Sequence, residues 1–464
     1  MRASFYSLLF QQRRLFMTNK PTSRKVPSGR LSRLSIFGGI ASAVAGNIVK
    51  GAAKQMLTGK LPSLNQNLLN TANATSITNR LARMRGAAMK LGQLLSMDAG
   101  ELLPAEWEPI LSRLREQADP MPKSQLIATL EASWSEDWLS QFSYFSFDPI
   151  AAASIGQVHR AVLNDGRELA IKIQYPGVRE SIDSDIDNIV GLINLSGALP
   201  KHIDLKPMLE KAKIQLKNEA DYLKEAKYLS LYRDNLASNT DFIVPYVIEE
   251  LSDQNVLAME YIEGSPIVDI AGMGPDIINL VCSKLMRLTY EELFNHKLMQ
   301  SDPNFSNYLY QPDTQKIVLL DFGACRDVSL LTSEHYLAMA TAMQQQDTVA
   351  MKSALFSLGL IQNSMSPTVI DTVLKACLEA SHCLQSDNGY NLKKEQLIKR
   401  IQAVTMPMVK DKSAVASPDF DVSLVNRKVT GMILLANKLG ATLDFKGALA
   451  PYLLQTKVVT NSAN

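Results

Sequence analysis

Asp302 is followed five residues later by Asn307 and then, after a short apolar run, by Asp321-Phe322-Gly323. One carboxylate, one amide and a second carboxylate in this order suit phosphoryl transfer from ATP. Mg²⁺ on the phosphates prefers hard oxygen ligands, and a single carboxylate plus a single amide carbonyl leave room for phosphate oxygens and water. Asn307 and Asp321 are the candidate metal ligands. That leaves Asp302 to orient, or accept the proton of, an attacking hydroxyl or water. Taken piece by piece, Asp302-Pro303-Asn304 is also an Asx-rich turn and Asp321 also a strand-end residue. The three together are harder to read that way.

The order and spacing match those of a kinase catalytic loop and its metal-binding segment. A second constellation supports this. Lys172, in Leu169-Ala170-Ile171-Lys172, occupies the place of the strand lysine that neutralises the α- and β-phosphates and is itself held by a glutamate. The segment Asn218–Leu229 offers Glu219, Asp221 and Glu225 as partners. Two departures accompany the match. A Gly-rich phosphate loop is replaced by Ala151-Ala152-Ala153-Ser154, whose Cβ atoms stiffen the backbone and restrict its approach to phosphates, so a nucleotide should bind in an altered pose. The histidine and arginine that precede the catalytic aspartate in protein kinases are replaced by Gln300 and Ser301. Lys90 and Gln93 share one helix face by their spacing, and composition does not distinguish them from ordinary surface residues.

The elements that must position these residues are legible in outline. Residues 17–60 form a basic Gly/Ser/Ala-rich arm, and 61–75 a polar connection. Apolar residues recur at helical spacing over 77–97, and a helical hairpin is expected over about 105–132. Gly156–Leu163 and Glu168–Gln174 alternate as strands about the turn Asn164-Asp165-Gly166, which predicts a β-hairpin. Helical patterns cover about 178–195 and 205–236, and a strand covers 255–262. A helix of about 276–294 leads to two short strands, 307–310 and 316–322, and the chain from about 332 onward reads as mostly helical.

The bulk composition, 46% hydrophobic and 20% charged over 464 residues, excludes a disordered or fibrous chain. The net charge of +2 is unevenly spread: residues 1–97 hold 15 Lys+Arg and no acid, leaving 33 bases against 46 acids, or −13, in the rest. A basic arm before an acidic body suggests contact with an anionic surface. The longest uncharged apolar stretch, 34–49, is shorter than the roughly 20 residues a spanning helix needs. The four cysteines form neither a CxxC pair nor a zinc spacing, so reduced thiols are expected. Residues 1–16 have the Arg-rich, acid-free character of a transit peptide. They read equally as an extension upstream of Met17, and the acid-free composition continuing well beyond favours the second reading.

With these residues in place, the sequence resembles the UbiB or ADCK-type (AarF-domain) family of atypical protein-kinase-like proteins, associated with ubiquinone biosynthesis. The KxGQ motif matches Lys90-Leu91-Gly92-Gln93, the alanine-rich loop Ala151 to Ser154, and the ExD motif Glu219-Ala220-Asp221. The phosphate-binding lysine matches Lys172, its glutamate Glu225, the catalytic aspartate Asp302, and the metal ligands Asn307 and Asp321. The resemblance implies an α+β, bilobal kinase-like fold: helical extension 61–140, N-lobe 141–264 and mostly helical C-lobe 265–464. It also implies that the extension covers the substrate face, with Lys90 facing Glu219 and Asp221 part of the same gate. Glu260 and Ile262, at the end of the 255–262 strand, are expected to contact nucleotide.

The expected activity is that of an Mg²⁺-dependent ATPase or atypical kinase near a membrane, supporting ubiquinone biosynthesis. The expected partners are ATP and ADP, membrane lipids or quinone precursors, the biosynthetic enzymes and a second copy of the chain, with no nucleic acid. Two settings are open: peripheral to a bacterial inner membrane, or the matrix face of the mitochondrial inner membrane. Two rivals remain: a nucleotide-gated lipid-binding scaffold, and a Ser/Thr protein kinase. Helical periodicity resuming within about ten residues of Gly323 leaves a protein kinase no activation segment on which to dock a peptide.

Overall fold

The structure is a computed structural model that describes residues 120–153, 155–195, 206–302, 304–411 and 418–461. The basic arm, the predicted 77–97 helix and the start of the predicted 105–132 hairpin lie outside them. The chain divides into two units: one ends at Ala226 and takes in Val247–Tyr261, the other holds Lys227–Tyr246 and Ile262–Asn464.

The first unit opens with helix α1 (Lys123–Ser133), which starts directly after Pro122, where a missing N–H costs nothing. It continues with strands β1 (Phe142–Phe145), β2 (Ala151–Ala152), β3 (Gly156–Leu163) and β4 (Glu168–Gln174). Helices α2 (Val178–Leu195), α3 (Lys206–Glu219) and α4 (Tyr222–Asn235) follow; the last runs on past Ala226. Strand β5 (Phe242–Ile243) belongs to the second unit, and β6 (Val256–Glu260) returns to the first. The sheet is antiparallel throughout, in the order β1-β3-β4-β6, with β2 paired to β3. The β3–β4 turn contains Gly166 at φ +90°, a conformation that glycine takes without strain. Leu169, Ile171 and Ile173 of β4 are all fully buried, each worth about 1.5–3 kcal/mol on leaving water. Strand β1, not anticipated from the sequence, is held by its aromatics: Trp138 meets Phe145 edge-on at 4.9 Å and Trp134 packs on Phe142 at 5.6 Å. Its burial follows that packing rather than simple alternation.

The second unit contains β7 (Ser265–Pro266), α5 (Pro275–Tyr290), β8 (Leu298–Gln300), β9 (Tyr308–Gln311), β10 (Lys316–Leu319) and β11 (Cys325–Asp327). Strands β5, β10, β9 and β7 form one small sheet in that order, and β8 pairs with β11. The helical region comprises α6 (Leu330–Gln345), α7 (Thr348–Ser357), α8 (Pro367–Ser381), α9 (Leu397–Thr405), α10 (Phe420–Leu439) and α11 (Phe445–Asn461), with a two-stranded ladder of β12 (Tyr390–Asn391) and β13 (Thr442–Leu443). Side-chain oxygens of Ser329, Asp347 and Ser366 cap the starts of α6, α7 and α8. Met351, Leu355, Leu358 and Val369 form the core between these helices.

Two helical readings are corrected. The pattern over 205–236 is two helices, broken at Ala220-Asp221. The pattern over 276–294 is a helix to Tyr290 followed by a π-turn, Glu291–His296, that ends on Lys297 at φ 50°. Among the described residues no helix is long and apolar enough to cross a membrane. The four cysteines are unpaired, and burial pushes Cys282 and Cys383 up to about 12 and Cys377 up to about 11. Cys325 is raised as well, by burial first and the nearby Glu292 carboxylate second.

Candidate active site

Strand β4 places Lys172 between Val158 of β3 and Leu257 of β6. Its Nζ donates to both carboxylate oxygens of Glu225 at 2.8 Å. Lys172 is 8% exposed and Glu225 2%. Two opposite charges this far from water attract strongly, and breaking a buried pair by removing one member costs about 3–5 kcal/mol. The ring of Tyr222, one turn before Glu225, lies 5.2 Å from the same ammonium.

The break between α3 and α4 sets that geometry. Gln174, two residues beyond Lys172, donates through Nε2 to the Ala220 carbonyl at 3.0 Å, so the strand and the helix break are registered against each other. Asp221 caps α4: its Oδ1 accepts the Lys224 N–H at 3.1 Å, and its carbonyl accepts the Glu225 N–H at 3.0 Å. Glu219, the other acid of this motif, is buried at the end of α3 and accepts from Gln215 Nε2 at 3.0 Å. Lys90 and Gln93 lie outside the described residues.

Ala151 and Ala152 are exposed and extended, paired with Val158 and Gln157. Ala153 donates its N–H to the Gly156 carbonyl at 2.9 Å; Ser154 lies outside the described residues. Gly156 has no room for a side chain, because a Cβ there would sit 2.3 Å from the Ile173 carbonyl oxygen. The buried Gln157 next to it accepts the Met121 N–H and donates to His159 Nε2 at 2.7 Å, while His159 Nδ1–H donates to the Ser146 carbonyl. Glu260 ends β6 opposite Leu169, and Ile262 follows in coil; both are half-buried.

In the second unit, Asp302 follows β8, and its Oδ1 accepts the Asn304 N–H at 3.2 Å. Asn304 in turn caps the Phe305–Asn307 turn by accepting from Ser306. Asn307 directly precedes β9 and Asp321 follows β10 at the same end of that hairpin, beyond the Tyr308–Leu319 pair. The two expected metal ligands are thereby brought together by the strand register. The Asn307 side chain is buried, and among the described residues its amide nitrogen has no hydrogen-bond partner; a cation would be held by the amide oxygen. One amide and one carboxylate at one hairpin end fit the hard-oxygen donor set of Mg²⁺ sharing phosphate oxygens. Asp321 also orders its own turn by accepting the Gly323 N–H at 3.0 Å. Ser301 fastens the loop to the following segment, donating Oγ–H to the Ala324 carbonyl at 2.7 Å, in continuity with the β8–β11 ladder. Phe322 packs on Tyr232 at 5.0 Å.

Beneath this loop is a buried polar group of residues that sequence reasoning missed. Lys428 of α10 and Glu292 of the π-turn form an ion pair at 3.2 Å with both side chains 1% exposed. Burial raises the Glu292 carboxyl above the ordinary carboxylate range, against the pull of Lys428. Burial also disfavours the Lys428 charge, but Glu292 and Tyr308 outweigh it, and the ammonium is held well above its usual value. The signal was in the sequence: Lys428 interrupts an apolar stripe that includes Val425, Met432 and Leu435.

A surface groove of about 540 Å³, lined by Glu379, His382, Tyr390 and Arg400 among others, contains none of the residues singled out from the sequence. Its charges are mutually satisfied: Arg400 donates to Glu379 Oε2 at 2.8 Å and to His382 Nδ1 at 3.0 Å.

Residues 113–355 match the model of the ABC1 atypical kinase-like domain. The chain is 34% identical over 92% of its length to the mitochondrial atypical kinase COQ8B of Danio rerio, covering 68% of that protein. It is 35% identical over 90% of its length to the mitochondrial atypical kinase COQ8 of Saccharomyces cerevisiae, covering 84% of that protein. The solved structure of Rv3197 from Mycobacterium tuberculosis, in complex with erythromycin, superposes with a TM-score of 0.57 at 26% identity, over 81% of this chain and 94% of that one. The α+β architecture is therefore kinase-like, and the chain belongs to the ABC1 family of atypical kinase-like proteins, the UbiB/ADCK group its motifs resembled.

Proposed function

We propose that the protein is an ATP-binding, Mg²⁺-dependent atypical kinase or ATPase that supports ubiquinone biosynthesis at a membrane surface, acting on a lipid or small-molecule substrate or on the biosynthetic complex. The observation that carries this reading is the Lys172–Glu225 pair: a buried ammonium fixed at 2.8 Å from both carboxylate oxygens is oriented for a fixed anion, not for solvent. Lys172 would neutralise the α- and β-phosphates, with the Ala151–Ser154 loop, Glu260 and Ile262 contributing to the nucleotide site. Asp302 would orient the attacking hydroxyl or water and take its proton. Mg²⁺ bound by Asn307 and Asp321 would offset the charge on the transferring phosphate. Lys90, Gln93, Glu219 and Asp221 would gate access of large substrates.

The mitochondrial COQ8 relatives support the mitochondrial setting and leave the bacterial reading without support. A protein-kinase role is disfavoured because α6 begins at Leu330, so little chain follows Gly323 to hold a peptide. The scaffold reading draws on the erythromycin complex of the Rv3197 structure, a fold relative bound to a large small molecule. Phosphate release should be measured with and without anionic liposomes and a phenolic quinone precursor. Stimulated, Mg²⁺-dependent release is expected, and absence of ATP binding and release under all conditions refutes the reading. Equal quinone production in cells carrying Asp302→Asn would favour the scaffold.

A further inference from the structure

We propose that Lys428, Glu292 and Tyr308 form a buried clamp that positions the loop from Asp302 to Asn307 for turnover, in the place where Gln300 and Ser301 have displaced the histidine and arginine of protein kinases. The inference rests on the catalytic reading of Asp302 and Asn307 given above.

The clamp holds the loop at both ends. Lys428 Nζ donates to the Tyr308 hydroxyl at 3.1 Å, and Tyr308 is the residue directly after Asn307. At the other end, Gln300 is two residues before Asp302, and its Oε1 receives both the Tyr308 hydroxyl at 3.4 Å and Lys428 Nζ at 3.5 Å. Glu292 fixes Lys428 in turn, and the single Tyr232 hydroxyl proton is shared between Glu292 Oε1 at 3.1 Å and the Leu298 carbonyl at 3.2 Å, tying the start of β8 to the same group. Between its ends the loop is shaped by short-range turn bonds, Asn304 N–H to Asp302, Ser306 N–H to Asn304 and Asn307 N–H to the Asn304 carbonyl. Such bonds shape a turn without orienting it relative to the rest of the unit, which besides the clamp holds the loop through the Ser301–Ala324 and Leu320–Asn307 bonds.

Two features set the clamp apart from ordinary packing. Lys428 occupies an apolar helix stripe whose other buried members include Val425, Met432 and Leu435, a position where a methionine or leucine would pack as well without the desolvation that an ion pair must recover. Glu292 is carried by a π-turn, an irregularity that often marks functional positions because it re-aims one side chain out of helical register. Glu292, on that turn, is the side chain that meets Lys428.

Lys428→Met combined with Glu292→Gln removes both charges together and keeps an acceptor for Tyr232. The double variant is expected to retain its near-UV circular dichroism and its KM for ATP while kcat for phosphate release falls roughly 10–100-fold, the range that loss of fine positioning produces. A folded double variant with wild-type kcat overturns the proposal. Tyr308→Phe deletes one hydroxyl and leaves the core filled; kcat should fall about 3–10-fold at unchanged KM, as for one lost hydrogen bond. If the double variant does not fold, Tyr308→Phe decides alone, and wild-type kcat there overturns the clamp. Asp302→Asn separates the layers: wild-type turnover in that variant sinks the catalytic reading, whereas an inactive Asp302→Asn beside fully active clamp variants sinks only the clamp.

Discussion

The Leu320 amide donates to the Asn307 carbonyl at 3.0 Å, one step beyond the last paired residues of β9 and β10. This bond sets the backbone position of Asn307 against the residue preceding Asp321. Two side chains 14 positions apart in sequence are thus placed at one hairpin end by strand register. Asp321→Asn keeps the shape and removes the charge. Mg²⁺-dependent phosphate release should fall by about 100-fold or more, with little change in thermal stability. A Mg²⁺ titration of phosphate release that is indistinguishable from wild type would exclude Asp321 as a metal ligand.

Lys172→Met should destabilise the fold by about 3–5 kcal/mol, because it breaks the buried ion pair with Glu225. The double variant Lys172→Met/Glu225→Gln should recover most of that stability and none of the ATP affinity. Urea unfolding and equilibrium nucleotide binding, run side by side, separate the two effects.

Asp221 caps α4 within the motif expected to gate the site. Asp221→Ala should cost about 1 kcal/mol, and Asp221→Asn, which caps as well, almost nothing. If Asp221→Asn keeps its stability and still changes turnover, the carboxylate charge has a role beyond the cap.

Ala153 donates its N–H to the Gly156 carbonyl. Ala153→Gly adds about 0.5–1 kcal/mol of backbone entropy to be lost on ordering, so ATP or ADP affinity should shift by about 2–5-fold. Calorimetric titrations giving unchanged affinity for both nucleotides would remove the role assigned to the loop.

Burial holds the His159 imidazole below its ordinary value of 6.5, against the pull of the Ser146 carbonyl and Asp148. The unfolded chain then takes up the proton first, so stability is full above about pH 6.5 and is lost as pH falls below it. His296 is lowered as well and adds to the same trend. Midpoints of thermal unfolding between pH 8 and pH 5 should drop in the wild type and drop less in His159→Gln; parallel curves would assign the acid sensitivity elsewhere.

Much of the fold was legible where local pattern decides. The Gly156–Gln174 hairpin and the helix over 178–195 form where the alternation and the helical period put them, because both depend on neighbours in sequence. The 205–236 segment shows the limit of that approach: its helical period continues through Ala220-Asp221, and the break depends on a hydrogen bond from Gln174, 46 residues earlier. The same holds for the site. Motif spacing singled out Lys172, Asp302, Asn307 and Asp321, and the family resemblance chose Glu225 from three candidate acids, whereas Lys428 and Glu292 come together across 136 positions and only the folded chain pairs them. A charged residue in an apolar stripe was the available clue.

Desolvation of the four thiols, two of them buried (Cys282, Cys325) and two half-buried (Cys377, Cys383), has a practical consequence. With Cys377 pushed up to about 11, Cys282 and Cys383 to about 12, and Cys325 raised by its burial, almost none is present as reactive thiolate at neutral pH. A cysteine introduced at an exposed site such as Val349, 79% accessible, would outcompete all of them for maleimide. The native chain is thus already a background for attaching spin labels or fluorophores one position at a time, with no endogenous cysteine needing to be removed.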